Sequence, residues 1–96
     1  MYARVSTFHG SADHIDEKIA VDQERLVPAL RQLAGFEGLY VLVDREACKW
    51  LVVTLWESDE ALRVSEEEAS RLRTESAERD SATIAAIERY EVVVQP

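Results

Sequence analysis

The chain has 96 residues, 47% of them hydrophobic, and a formal net charge of −8. That length suits one domain spanning residues 1–96, whose small core a second surface would usefully enlarge. The negative charge argues against nucleic acid and against an anionic membrane surface, which both need a basic patch, and no stretch nears the roughly 18 consecutive apolar residues of a membrane span.

Residues 2–9, YARVSTFH, read as a β-strand, since Tyr2, Val5, Thr7 and Phe8 favour a pleated surface. Gly10 and Ser11 break it, and Ser11 suits a helix N-cap with Asp13 in the first turn. Residues 12–34 read as an amphipathic helix, because Ile15, Ile19, Leu26, Leu30 and Leu33 recur at helical spacing. Pro28 lies inside that stripe and should kink or restart the helix. Gly35 supplies its stop.

Residues 36–44, FEGLYVLVD, form the second strand, and a short hairpin turn near Cys48 leads to the third and strongest, KWLVVTLWE over 49–57. Ser58 then caps a second helix that reaches about residue 78. Its apolar stripe is weak, and SEEEAS reads as its solvated face. Residues 84–94, IAAIERYEVVV, are the fourth strand. The order β-α-β-β-α-β is the split, ferredoxin-like α+β plan: a four-stranded antiparallel sheet with two helices on one face.

Both faces of this sheet are apolar. The third strand carries Leu51, Val53 and Leu55 on one side, and Trp50, Val52, Thr54 and Trp56 on the other. The second strand has Leu39, Val41 and Val43 on one side and Tyr40 and Leu42 on the other. Two helices cover one face only, so the other needs a partner, and a second copy of the chain is the simplest. The smooth aliphatic set Leu51, Val53 and Leu55 suits sheet-on-sheet packing, which turns the mixed tryptophan-bearing set toward the helices. The N-terminal MYARVSTFHG lacks the basic-then-apolar pattern of a signal peptide, and a lone Cys48 forms no internal disulfide; both suggest the cytoplasm.

The segments VPALRQLAGFEGLYVLVDRE (27–46), LVVTLWESDEALR (51–63) and IERYEVVV (87–94) carry a resemblance. With the opening strand they make nearly the whole chain similar to the dimeric α+β-barrel superfamily, and within it to the antibiotic-biosynthesis-monooxygenase-like domains. The resemblance implies a homodimer joined through the sheet faces. It also implies a pocket between sheet and helices in each subunit, suited to a small apolar ligand. In the oxygenases of this group no cofactor is used, because a deprotonated electron-rich substrate reacts with dioxygen itself.

Candidate pocket residues are Trp56, Arg4, Thr54 and Tyr40. Trp56 matches a pocket tryptophan of some relatives, and equally suits a core aromatic anchoring the second helix to the sheet. Trp50 lies nearer the hairpin, where a rim or interface position is expected. Arg4 sits mid-strand on an apolar sheet, so it must be paired or line a cavity. A cross-strand pair with Glu88 or Glu91 is one reading, and an anion-stabilising group the other. His9 and His14 are candidate general bases by their near-neutral pKa, but their spacing is no metal signature, so no metal is expected. Cys48 has no neighbouring base and is not expected to be catalytic. The haem-degrading branch pairs its tryptophan with an asparagine on the first strand and a histidine on the second helix. This chain has no asparagine, and no histidine in that helix.

The expected protein is a small homodimeric α+β barrel with an apolar pocket in each subunit; if it is an enzyme, the resemblance implies a cofactor-independent monooxygenase acting on an electron-rich aromatic or polyketide-like molecule. The rival is a non-catalytic dimeric module that binds a small ligand or assembles. A pocket with convergent polar groups favours the first, and packed aliphatics favour the second.

Overall fold

A computed structural model describes residues 1–96 apart from Ala12 and His14; the candidate base His14 therefore lies outside the described residues. Four strands, β1 (Tyr2–His9), β2 (Phe36–Asp44), β3 (Lys49–Trp56) and β4 (Thr83–Glu91), form one sheet in the order β2-β3-β1-β4, and each neighbouring pair is antiparallel. This is the ferredoxin-like α+β fold that the element order implies. Among the described residues no helix is long and apolar enough to cross a membrane.

The first helix is built in three pieces: α1 (Ile15–Val21), a π-helical segment (Asp22–Leu26) and α2 (Val27–Arg31). Pro28 is the physical cause. It has no amide hydrogen to return to the preceding turn, and its ring crowds the carbonyl four residues back. The helix widens instead: the Val27 amide donates to the Asp22 carbonyl, five residues back, and α2 restarts with Pro28 in its first turn. Gly35 follows at φ +79°, and a Cβ there would lie 2.4 Å from the Ala61 Cβ. Glycine is required twice over, for the left-handed turn and for the close approach that lets its carbonyl accept the Glu57 amide at 2.8 Å.

The second helix is also divided, into α3 (Asp59–Val64) and α4 (Glu66–Arg79). Ser58 caps α3 as expected, its Oγ accepting the Ala61 amide at 3.1 Å. The break falls at Ser65, where the Leu62 carbonyl accepts both the Ser65 hydroxyl and the Arg4 guanidinium, each at 2.7 Å. Strand β4 ends at Glu91, so Val93 and Val94 lie beyond it and are exposed. Cys48 sits in the β2–β3 turn with φ +52°.

The helices cover one sheet face, and the alternation of β3 is as read: Trp50, Thr54 and Trp56 are buried there, while Leu51, Val53 and Leu55 are half-buried on the other. On that outer face Tyr40 aligns with Val53 and Leu42 with Leu51. Tyr40 and Leu42 are exposed, at 62% and 51%. Trp50 corrects the expectation of a rim position. It is 2% exposed, stacked on Phe8 at 5.9 Å and 9°, because the α1 side of the helix layer reaches as far as the hairpin.

Candidate functional site

The core beneath the helices is split. One cluster gathers Phe8, Ile15, Trp50 and Ala77; the other gathers Leu30, Trp56 and Leu62. Between them the strands place Arg4 and Ser6 of β1 and Thr54 of β3, all buried. Arg4 and Thr54 are direct register partners. A polar layer in the middle of an apolar core carries a desolvation cost unless each group finds a partner.

Arg4 finds most of its partners on the helix break. Its Nη2 donates to the Leu62 carbonyl at 2.7 Å and to Ser65 Oγ at 3.1 Å, and its Nε to Glu66 Oε2 at 3.0 Å. Its guanidinium lies 5.6 Å from the Trp56 ring centroid. Its Nη1 is buried with no partner among the described residues. Burial is the main force lowering the Arg4 pKa, countered in part by Glu66.

Glu66 is shared by three guanidiniums: Arg4 at 2.8 Å, Arg73 at 3.3 Å and Arg89 at 2.7 Å. The register sets Arg4 opposite Arg89, a like-charge pair that would repel without a counterion between. Burial tends to raise the Glu66 pKa, but the hydrogen bond from Arg89 and the charges of Arg4 and Arg89 outweigh it and hold the carboxyl below its ordinary value. The pairing of Arg4 with Glu88 or Glu91 is thus corrected, because its side chain turns to the helix layer and not along the sheet. SEEEAS is corrected in part, since Glu66 within it points inward.

A second charged group lies beside Phe8 and Trp50. Lys18 and Asp22 form a buried ion pair, both side chains 3% exposed, and Arg79 reaches Asp22 at 3.4 Å. The Lys18 ammonium sits 5.2 Å from the Trp50 ring centroid.

These groups surround a cavity of about 40 Å³, room for roughly three waters at about 10–15 Å³ of such volume each. Its polar lining is Arg4, Ser6, Lys18, Thr54, Arg73 and Ser76. Its apolar wall is Phe8, Leu26, Leu30, Val52, Ala69 and Leu72. Among the described residues the lining therefore holds three cations and no carboxylate.

The structure brings Arg4 and Thr54 together at this cavity. Trp56 is fully buried behind them and does not line it; its Nε1 donates to Thr54 Oγ1 at 2.9 Å, and its ring meets Phe36 edge-on at 5.6 Å. Tyr40 is corrected: alternation along β2 sends it to the outer face. His9 ends β1 in register with Lys49 and Thr83, exposed and outside the lining, so it is not placed as a base for this cavity. Sequence reasoning missed Lys18, Asp22, Glu66 and Arg73. A signal was present for Lys18 and Asp22, which stand three and seven residues after Ile15 on its helical stripe. Arg73 likewise stands between the inward Ala69 and Ala77 at steps of four.

No family model matches the chain. It is 33% identical over 92 residues to the uncharacterized protein Rv2557 of Mycobacterium tuberculosis, covering 96% of the chain but 41% of that relative. With Rv2558 of the same organism it shares 32% over 77 residues, 80% of the chain and 33% of the relative. The chain thus spans less than half the length of the curated relatives it matches. Among solved structures, the heme-degrader MhuD of M. tuberculosis, seen with two hemes in its active site, superposes with TM-score 0.79 at 24% identity, over 100% of this chain and 99% of that one. SnoaB, a cofactor-independent oxygenase from Streptomyces nogalater, gives 0.69 at 18%, over 98% and 94%. A dimeric ferredoxin-like protein from an uncultured marine organism gives 0.74 at 15%, over 98% and 95%.

The haem of MhuD has no counterpart in this lining, which among the described residues contains no His, Cys, Met or Tyr to ligate iron. The residues of the cavity do not fit that group. What the chain shares with these proteins is architecture: it has the ferredoxin-like fold, which it also shares with solved antibiotic-biosynthesis-monooxygenase-like proteins.

Proposed function

We propose that the chain is a single-domain homodimeric α+β-barrel protein that acts as a cofactor-independent monooxygenase on an electron-rich aromatic or polyketide-like molecule. The observation that carries this reading is the convergence of six polar side chains on a cavity whose other wall is apolar. The likeness of fold to SnoaB supports it. The Arg4 guanidinium faces the developing oxyanion of the substrate and favours its formation, so the acidic C–H or O–H proton passes to solvent. Dioxygen then adds to the carbanion-like carbon, and loss of water converts a CH₂ group to a carbonyl. The cavity admits the reacting end, and the ring system lies in the adjoining groove of about 260 Å³ between the π-helical segment and α4, which shares Leu26, Leu72 and Ser76 with it.

Dimerisation through the outer sheet face is part of the proposal. Tyr40, Leu42, Leu51, Val53 and Leu55 make that face apolar, and the marine protein of like fold is dimeric. The lone Cys48 suits a reducing cytoplasm.

A second reading rests on a specific feature. Among the described residues the lining offers neither carboxylate nor imidazole to take a proton, which favours a non-catalytic ligand-binding module. Oxygen uptake decides between them. The enzyme should consume dioxygen with 1,8-dihydroxyanthrone, yielding the quinone faster than the heat-inactivated protein does. Uptake no faster than that control removes the oxygenase reading.

A further inference from the structure

The unused nitrogen of Arg4 points to a ligand chemistry. All three hydrogen bonds of this guanidinium go to the helix break, and among the described residues Nη1 has no protein acceptor although Arg4 is 2% exposed. A buried N–H without a partner is costly, so an acceptor belongs there. We propose that this acceptor is a carboxylate, and that the cavity is the head-group site for a carboxylate-bearing ligand.

Three observations converge on an anion. Among the described residues the lining holds Arg4, Arg73 and the Asp22-paired Lys18 with no carboxylate, inside a chain whose net charge is −8. Glu66 is the shared counterion of three guanidiniums, which leaves that cluster two positive charges in excess. Thr54 Oγ1 accepts from Trp56, so its own hydrogen is available to a second carboxylate oxygen. The volume suits a small anionic head group. About 40 Å³ accommodates the three heavy atoms of a carboxylate, counted as roughly three waters. The remainder of the ligand extends past Leu26 and Leu72 into the outer groove. This inference rests on the cavity being a ligand pocket, as above, but not on the oxygenase step.

The test compares phenylacetate with its neutral isostere phenylacetamide by calorimetry on the full chain, without turnover. Phenylacetate should bind at least about tenfold more tightly, as charge-assisted hydrogen bonding requires. Arg4→Met should abolish that preference and Arg4→Lys should restore part of it. Equal affinities, no binding of phenylacetate at millimolar concentration, or a preference that survives in Arg4→Met overturns the proposal and leaves Nη1 to a bridging water. If Arg4→Met does not fold, the wild-type comparison alone decides. Carboxylate preference without oxygen uptake from the anthrone would remove the oxygenase reading and keep this one; uptake with no carboxylate preference would do the reverse.

Discussion

Replacing Trp56 with alanine separates a packed anchor from a pocket wall. The side chain is 0% exposed and stands at the centre of the cluster with Leu30 and Leu62. Truncation of a buried Trp costs about 3–5 kcal/mol through lost transfer energy and the cavity left behind. Thr54 Oγ1 would also lose its donor, a buried group worth about 1–3 kcal/mol when orphaned. The Arg4 guanidinium would lose the ring beneath it. These terms share atoms and do not add in full, so a total near 5 kcal/mol is expected. Because small domains hold about 5–15 kcal/mol in all, Trp56→Ala should be largely unfolded. Trp56→Phe keeps most of the volume and should cost about 1–3 kcal/mol, from the orphaned hydroxyl. Urea melts followed by far-ultraviolet circular dichroism read both values without relying on tryptophan emission. A loss below about 2 kcal/mol for the alanine variant would refute the packing argument, because it falls under the range for a filled core site.

Breaking the Lys18–Asp22 pair by Lys18→Met should cost about 3–5 kcal/mol, since a buried carboxylate is left, among the described residues, with Arg79, whereas Lys18→Met with Asp22→Leu should recover much of the loss; melts of the wild type and both variants check this. Val53→Asp places a charge on the proposed dimer face and should yield monomer or unfolded chain in light scattering, and a wild type that is itself monomeric at micromolar concentration would end the dimer proposal. Glu66 is held below its ordinary pKa in the folded chain, so the stability it contributes is present above that value and is lost as pH falls through about 4.5 and below. Glu66→Gln should be less stable at neutral pH yet show a shallower loss on acidification, and an unchanged acid limb in the variant's melts would contradict the three-arginine arrangement.

Much of the architecture was legible along the chain because its causes are local. Alternation at a period of two assigned Trp50 and Trp56 to one face and Val53 to the other; Ser58, Pro28 and Gly35 marked a cap, a disruption and a stop by their own backbone chemistry. The split of the second helix was not legible. At the break the Leu62 carbonyl is shared by the local Ser65 hydroxyl and by Arg4, 58 residues away. The same holds for the site. Composition and periodicity could announce a charged residue in an apolar strand, but only the folded chain could choose Glu66 over Glu88 and Glu91 as its partner. That choice depends on which carboxylate the helix break delivers above the sheet, and on Arg73 and Arg89 arriving from α4 and β4. A side chain's face is a property of its own strand; its counterion, and the nitrogen left without one, are properties of distant segments packed together.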